Sequence, residues 1–397
     1  MACKCDNTCN CKGESMNLQS DMTSREIERH QKWYIINAQT LAQIMCFVSL
    51  GILGINYLLY SFFQFDFNRN ILRIVAGVFF ILSILLRKRI SVREFCLIPV
   101  AAYMLIINGS LSSNIAYFIL AAIAIPYVAD IVWKQLNMFQ IVMTIVVILC
   151  LVLGIVNYRV TSIAGRTRNT LGFTNVNAAA VFFFSLLIIW LLKIKNISVK
   201  HLLITIAISF AVYRLTDSRT VFACTMIFSV CYLVLSRWNG RWTSILFGVC
   251  VTVFYLSPVL VIMARSAFPT LDIVLSSRLK WFSLYIANHS IHTLLFGGSK
   301  IEGIDNFYLC LLYNGGIFFY IFTWYMNISA LSKYILRRNP DYAAFIIAIT
   351  AYGLMESGVI RCELLCMIMF WYLLLRPLKN EEREEENARE TVTQSAI

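Results

Sequence analysis

Between Tyr34 and Gln64 the chain carries no charged side chain. A helix needs roughly 20 apolar residues to cross a bilayer core, and this run exceeds that. Within hydrocarbon every backbone N–H and C=O must find a partner inside the protein, which leaves only helices or closed barrels. Similar apolar runs recur along most of the sequence, without the alternation a barrel strand would show. The composition agrees, at 59% hydrophobic residues and a mean hydropathy of +0.72. No ordinary water-soluble domain is built that way.

Reading each run as one helix predicts twelve, over roughly 34–63, 71–86, 95–108, 113–129, 135–157, 174–192, 200–213, 220–235, 241–262, 306–331, 341–356 and 360–375. The expected fold class is therefore an all-α polytopic integral membrane protein. An even count puts both ends on one side. Placing them in the cytoplasm turns 22 of the 34 Lys and Arg residues inward, as the positive-inside rule asks. The chain then divides into a polar cytoplasmic tail at 1–33, a membrane domain at 34–376 and an acidic cytoplasmic tail at 377–397. A long outer loop at 263–305 belongs to the membrane domain. The polar first 33 residues predict no cleavable signal. Cys3, Cys5, Cys9 and Cys11 are spaced more tightly than a paired zinc knuckle, and a cytosolic tail disfavours disulfides. No metal or other cofactor is expected. Membrane lipids are the expected surroundings, and nucleic acid is not an expected partner.

The outer loops hold the informative charges. Their basic residues are Arg69, Arg159, Arg166, Arg168, Arg214, Arg219, Arg265, Arg278 and Arg361, with only Lys280 and Lys300 besides. Arginines kept on the side that positive charge normally avoids need a reason. A guanidinium presents a planar fork of donors matched to phosphate oxygens. Anchoring at lipid headgroups is the plainer account of any one of them. It explains the set Arg166, Arg168, Arg219 and Arg278 less well.

Three outer segments carry the candidate chemistry. The first runs from Gly165 to Asn177, with Gly172 suited to a turn and Thr174 or Asn175 suited to cap the next helix. Its arginines would lie beside the positive end of that helix dipole. The second is the short turn Thr216-Asp217-Ser218-Arg219-Thr220, where Asp217 is a ready partner for Arg219. The third begins with Ser276-Ser277-Arg278-Leu279-Lys280-Trp281 and an amphipathic helix at about 271–288. It continues through His289, His292 and Phe296-Gly297-Gly298-Ser299 to Asp305-Asn306-Phe307-Tyr308.

The string RNTLGFTNVNAAA, the Ser218-Arg219 turn, the SRLKW segment and the GG…DNFYLCLLYNGGI segment, in that order, resemble the lipid-linked oligosaccharide polymerases and O-antigen ligases (Wzy and WaaL proteins). The resemblance covers about 159–330. Asn177 falls in the family's small amide motif, and Val176 stands where family members usually have proline. Ligases of the family carry a histidine where this chain has Asp305, so the resemblance favours a polymerase.

The resemblance implies a metal-independent glycosyltransferase of the GT-C type. Its substrates would be polyprenyl-pyrophosphate-linked oligosaccharides, as donor and as acceptor, with a chain-length regulator protein as a partner. The expected location is the cytoplasmic (inner) membrane, with the site on its outer face. The residue chemistry agrees. No Asp-x-Asp pair is present to anchor a divalent cation, and arginines in a dry cleft stabilise a departing pyrophosphate. Arg166, Arg168, Arg219 and Arg278 are the expected pyrophosphate ligands. Asp305 is the expected general base, with Glu302, His289, His292 and Asp66 as alternatives. Asn306, Tyr308 and Glu356 are expected to contact sugar, Glu356 having Arg361 as its other potential partner. The rival readings are an O-antigen ligase and a flippase for the same lipid-linked glycan. A flippase is expected to show two related halves, and no internal repeat is visible.

Overall fold

The apolar runs form helices that pack on a large apolar core and leave many large apolar side chains exposed on the outer surface. The computed structural model describes residues 38–65, 68–87, 90–107, 114–125, 129–156, 160–163, 166–194, 196–260, 263, 278–287, 290–299 and 305–375. In chain order the helices are α1 (Ala38–Ser61), α2 (Arg69–Leu86), α3 (Val92–Ile107), α4 (Asn114–Ala124), α5 (Ala129–Val152), α6 (Val176–Lys193), α7 (Val199–Thr216), α8 (Arg219–Arg237) and α9 (Arg241–Tyr255). They continue with α10 (Arg278–Ala287), α11 (Ile291–Phe296), α12 (Phe307–Leu336), α13 (Pro340–Tyr352) and α14 (Leu365–Leu375). A small ribbon, β1 (Val160–Ile163) with β2 (Arg166–Asn169), precedes α6.

Among the described residues seven helices are long and apolar enough to cross a membrane: α1, α2, α5, α6, α7, α8 and α12. The surface shows the same preference. On α7, Leu203, Ile204 and Ile208 are exposed while Thr205 and Ser209 are buried, and the Ser209 hydroxyl donates to Thr225 of α8 over 3.0 Å. Apolar outside and polar at the helix contact is the arrangement of a bundle solvated by lipid. The protein is a multi-pass, almost wholly helical membrane protein.

Four helices are covered on all sides: α4, α6, α13 and α14. Each is apolar around its whole circumference, which is the pattern of a central helix. α13 packs on α8, α14 on α4, and α6 on α5 and α7. The predicted spans at 341–356 and 360–375 differ from what forms. α13 stops at Tyr352 and α14 begins at Leu365, with a single 3₁₀ turn at Ser357–Ile360 between them. Neither helix has the roughly 20 residues of a full crossing. The irregular stretch 353–364 is nonetheless mostly buried by the surrounding helices. Non-helical backbone survives at such a place only where protein buries it or where it lines a polar cavity. Both apply here.

α12 contains a break. Gly316 has φ 76° and ψ 170°, and a Cβ there would stand 2.4 Å from the Leu295 carbonyl oxygen. That backbone conformation is essentially restricted to glycine. The break lets the end of α11 dock on α12, where Gly298 N–H donates to Asn314 O and Ser299 N–H to Tyr313 O, both over 3.2 Å.

Candidate functional site

Three chain segments converge on a cleft of about 280 Å³. Its charged lining is Arg168, Asp305, Glu356 and Arg361, and its amides are Asn175 and Asn177.

The first wall is the start of α6. β2 pairs with β1 in antiparallel register, Thr161 opposite Arg168. The chain then turns through Leu171 (φ 49°) and Gly172 (φ 81°). A Cβ on Gly172 would meet Phe62 and Val156 at 2.9 Å, so the turn needs both the conformation and the space of glycine. Fully buried Phe173 plugs in beside Phe62, ring centroids 5.0 Å apart. Of the two predicted caps, Asn175 does the work, its side chain accepting from Ala178 N–H over 2.7 Å. Tyr57 of α1 donates to Ala178 O over 2.8 Å and holds this turn against the bundle.

The second wall is the start of α12. Asp305 lines the cleft immediately ahead of the cap residue Asn306. The Asn306 side chain accepts from Leu309 N–H over 2.9 Å and donates to Leu354 O over 3.0 Å. Tyr308 is fully buried and donates to Thr350 O over 2.6 Å. Both were expected to touch substrate. Their polar atoms instead serve internal bonds, because a buried cap and a buried phenol must be satisfied within the protein.

The third wall is the stretch 353–364, which supplies Glu356, Ser357, Gly358, Arg361 and Leu364. Asn177 Nδ2 donates to Glu356 Oε1 over 2.9 Å, and Ser218 Oγ reaches Asn177 Oδ1 at 3.5 Å. The first turn of α6, the α7–α8 turn and the stretch that follows α13 thus meet at one end of the bundle.

The predicted arginines separate. Arg168 lines the cleft and forms an ion pair with Asp217 over 3.3 Å, Nε to Oδ2. The sequence had offered Asp217 to Arg219, but the left-handed Asp217 backbone (φ 55°) carries the carboxylate to Arg168. Arg219 begins α8, is exposed and does not line the cleft. Arg166 and Arg278 have described backbones only, in β2 and α10. Arg361, known from sequence as one of nine outer arginines and as a potential partner of Glu356, is the second guanidinium of the cleft. Glu302, His289 and Asp66 lie outside the described residues, as do both tails and 264–277. His292 is exposed and rests on Phe296, ring centroids 5.1 Å apart. The amphipathic helix expected at 271–288 is described from Arg278 to Ala287.

Sequence reasoning missed the pair of Arg73 with Glu363. Arg73 of α2 donates through Nε to Glu363 Oε1 over 2.7 Å, and through Nη2 to the same oxygen. Their side chains are 4% and 8% exposed. A signal existed, since Arg73 is the lone charge of the run 71–86 and Glu363 the lone acid of 360–375. Opposite charges stranded in two apolar runs are a reason to look for a pair.

The cleft holds two guanidiniums, two carboxylates and two amides, set against the positive end of α6. Arginines and a helix N-terminus suit phosphate oxygens. Carboxylates and amides accept from and donate to sugar hydroxyls, and a carboxylate can also remove a proton. Comparison of the chain with protein-family models, with curated proteins and with solved structures finds no match to any of them.

Proposed function

We propose that the protein is a polysaccharide repeat-unit polymerase of the O-antigen or capsule type, a GT-C-like transferase with twelve spans. In this reading it joins oligosaccharides carried on polyprenyl pyrophosphate, at the outer face of the cytoplasmic membrane, with both termini cytoplasmic. The supporting observation is the cleft itself. It gathers Arg168, Arg361, Asp305 and Glu356 from segments that the predicted topology places at the outer end. Two of those residues, Arg168 and Asp305, lie in motifs resembling the polymerase and ligase family.

The reaction needs no metal in this reading. The acceptor hydroxyl oxygen attacks the anomeric carbon of the donor sugar. The bond from that carbon to the pyrophosphate oxygen breaks, and the polyprenyl pyrophosphate departs with the electron pair. Arg168 and Arg361 offset its growing negative charge, joined by Arg166 and Arg278 from the outer segments. Preorganised cations do this well in a site that excludes water. The hydroxyl proton passes to Asp305, one of the two carboxylates of the cleft, while Glu356, oriented by Asn177, binds sugar hydroxyls. Holding donor and acceptor in line supplies much of the acceleration.

The test is the glycan ladder of a deletion strain, examined beside its pool of polyprenyl-linked glycans. Single repeat units on the surface, with no longer chains, are expected. Long lipid-linked chains that never reach their acceptor core would make the protein a ligase. Repeat units trapped on the cytoplasmic face would make it a flippase and remove the catalytic role of Asp305.

A further inference from the structure

The stretch 353–364 is irregular backbone inside a lipid-facing bundle, and it is fastened from five helices. Asn306 of the α12 cap bonds Leu354 O at 3.0 Å, and Trp371 of α14 bonds Val359 O at 3.2 Å. Asn177 of α6 bonds Glu356 at 2.9 Å, and Asn114 of α4 meets the Cys362 thiol at 3.1 Å. The fifth fastening is the ion pair of Arg73 with Glu363. It engages all three guanidinium nitrogens, the third donating to Asn70 Oδ1 over 3.3 Å.

Such a pair is a poor device for stability alone. Removing two charges from water costs about as much as their attraction returns, and apolar replacements of similar size are often at least as stable. What a buried pair with directed bonds does supply is one defined geometry. Glu363 lies two residues from Arg361, and the other side of the same stretch presents Glu356 and Arg361 to the cleft.

We infer that Arg73 and Glu363 are a positioning pair that holds the wall Glu356–Leu364, so that the Glu356 carboxylate and the Arg361 guanidinium face the cleft. Neither touches substrate. The inference rests on the reading of the cleft as the transfer site, and its test separates the two.

The test is the double variant Arg73→Met with Glu363→Met, which removes both charges and leaves neither one alone in the interior. Three properties of the full chain are measured: accumulation and thermal midpoint, alkylation of Cys362 by N-ethylmaleimide resolved by peptide mass, and surface glycan length in cells. Cys362 is fully buried in the native wall. The expected result is a native midpoint, Cys362 alkylation at least about tenfold faster, and chain extension reduced about 100-fold, the usual effect of an ångström-scale misplacement. Arg73→Lys, which keeps the charge but loses the planar fork, is expected to fall between native and double variant in the last two. Native protection of Cys362 in the double variant overturns the positioning role. Failure of the double variant to accumulate overturns it too, because the pair would then be needed simply to fold. Rapid alkylation with full-length glycan would keep the wall dependent on the pair and overturn the placement of the transfer site in this cleft.

Discussion

Asn177 Nδ2 donates to Glu356 Oε1 over 2.9 Å, tying the first turn of α6 to a residue 179 positions later. Both side chains line the cleft. The bond fixes one carboxylate oxygen of Glu356 and leaves the group's charge in place. Substitution of Asn177 therefore tests orientation rather than charge.

Asn177→Ala is expected to insert normally and to lose about 1.5–3 kcal/mol of stability, the usual net worth of a hydrogen bond to a charged group. Chain extension is expected to fall much further than that loss explains. Asn177→Asp sets a second carboxylate against Glu356 and is expected to be worse than alanine on both counts. Thermal midpoints of the purified chain, set beside glycan ladders, check both statements. A native ladder in Asn177→Ala would remove Glu356 from the site.

Arg168 and Arg219 were equivalent on paper and are not equivalent in space. Arg168→Ala is expected to lose product by at least about 100-fold, in the range seen when one charge-stabilising donor is removed. Arg219→Ala is expected to have a smaller effect, because its side chain is exposed outside the cleft. Equal losses in the two variants, at equal membrane abundance, would mean that the transfer site extends beyond this cleft.

Asp305 and Tyr308 are three residues apart and face different surroundings. Asp305→Asn is expected to insert normally and to lose about 10²–10⁴-fold in turnover, the share general to acid–base catalysis. Tyr308→Phe removes only an internal bond to Thr350 O. It should lower stability by about 1 kcal/mol and leave turnover near native. Single-turnover extension of a defined lipid-linked acceptor separates the two effects.

The glycine contact between α11 and α12 predicts a sharp contrast. Gly316→Ala forces a Cβ to within 2.4 Å of the Leu295 carbonyl, at a φ of 76°. Backbone strain of this kind costs about 1–3 kcal/mol by itself, and the overlap adds to it. Gly51→Ala, in α1, meets only the Phe139 ring at 3.8 Å and is expected to be neutral or to gain up to about 1 kcal/mol from helix propensity. Thermal unfolding of both variants in one detergent is the check.

Much of the architecture was legible before any coordinates. Runs such as 34–63 and 306–331 announce helices in lipid, because hydrocarbon leaves the backbone no other way to satisfy itself. The string through Gly172 and Asn175 predicts a turn and a cap, since a positive φ and an exposed helix start are local problems with local solutions. Asp305 and Arg168, singled out as candidates by their charge at the mouths of spans, both line the cleft.

Partnership was not legible in the same way. Nothing local distinguishes Arg168 from Arg219 as the partner of Asp217, and the choice falls to a left-handed backbone at Asp217 and the path of the β2 strand. Asn306 and Tyr308 carry groups that suit sugar, but burial commits those groups to Leu354 and Thr350. The breaks at Tyr352 and Leu365, and the pairing of Arg73 with Glu363 across 290 positions, follow from which helices become neighbours. The apolar pattern determines that the chain forms helices in a membrane, because burial and backbone satisfaction act residue by residue. Which side chains share the cleft was decided only by helix packing, because ion pairs and hydrogen bonds depend on distances between segments that are remote along the chain.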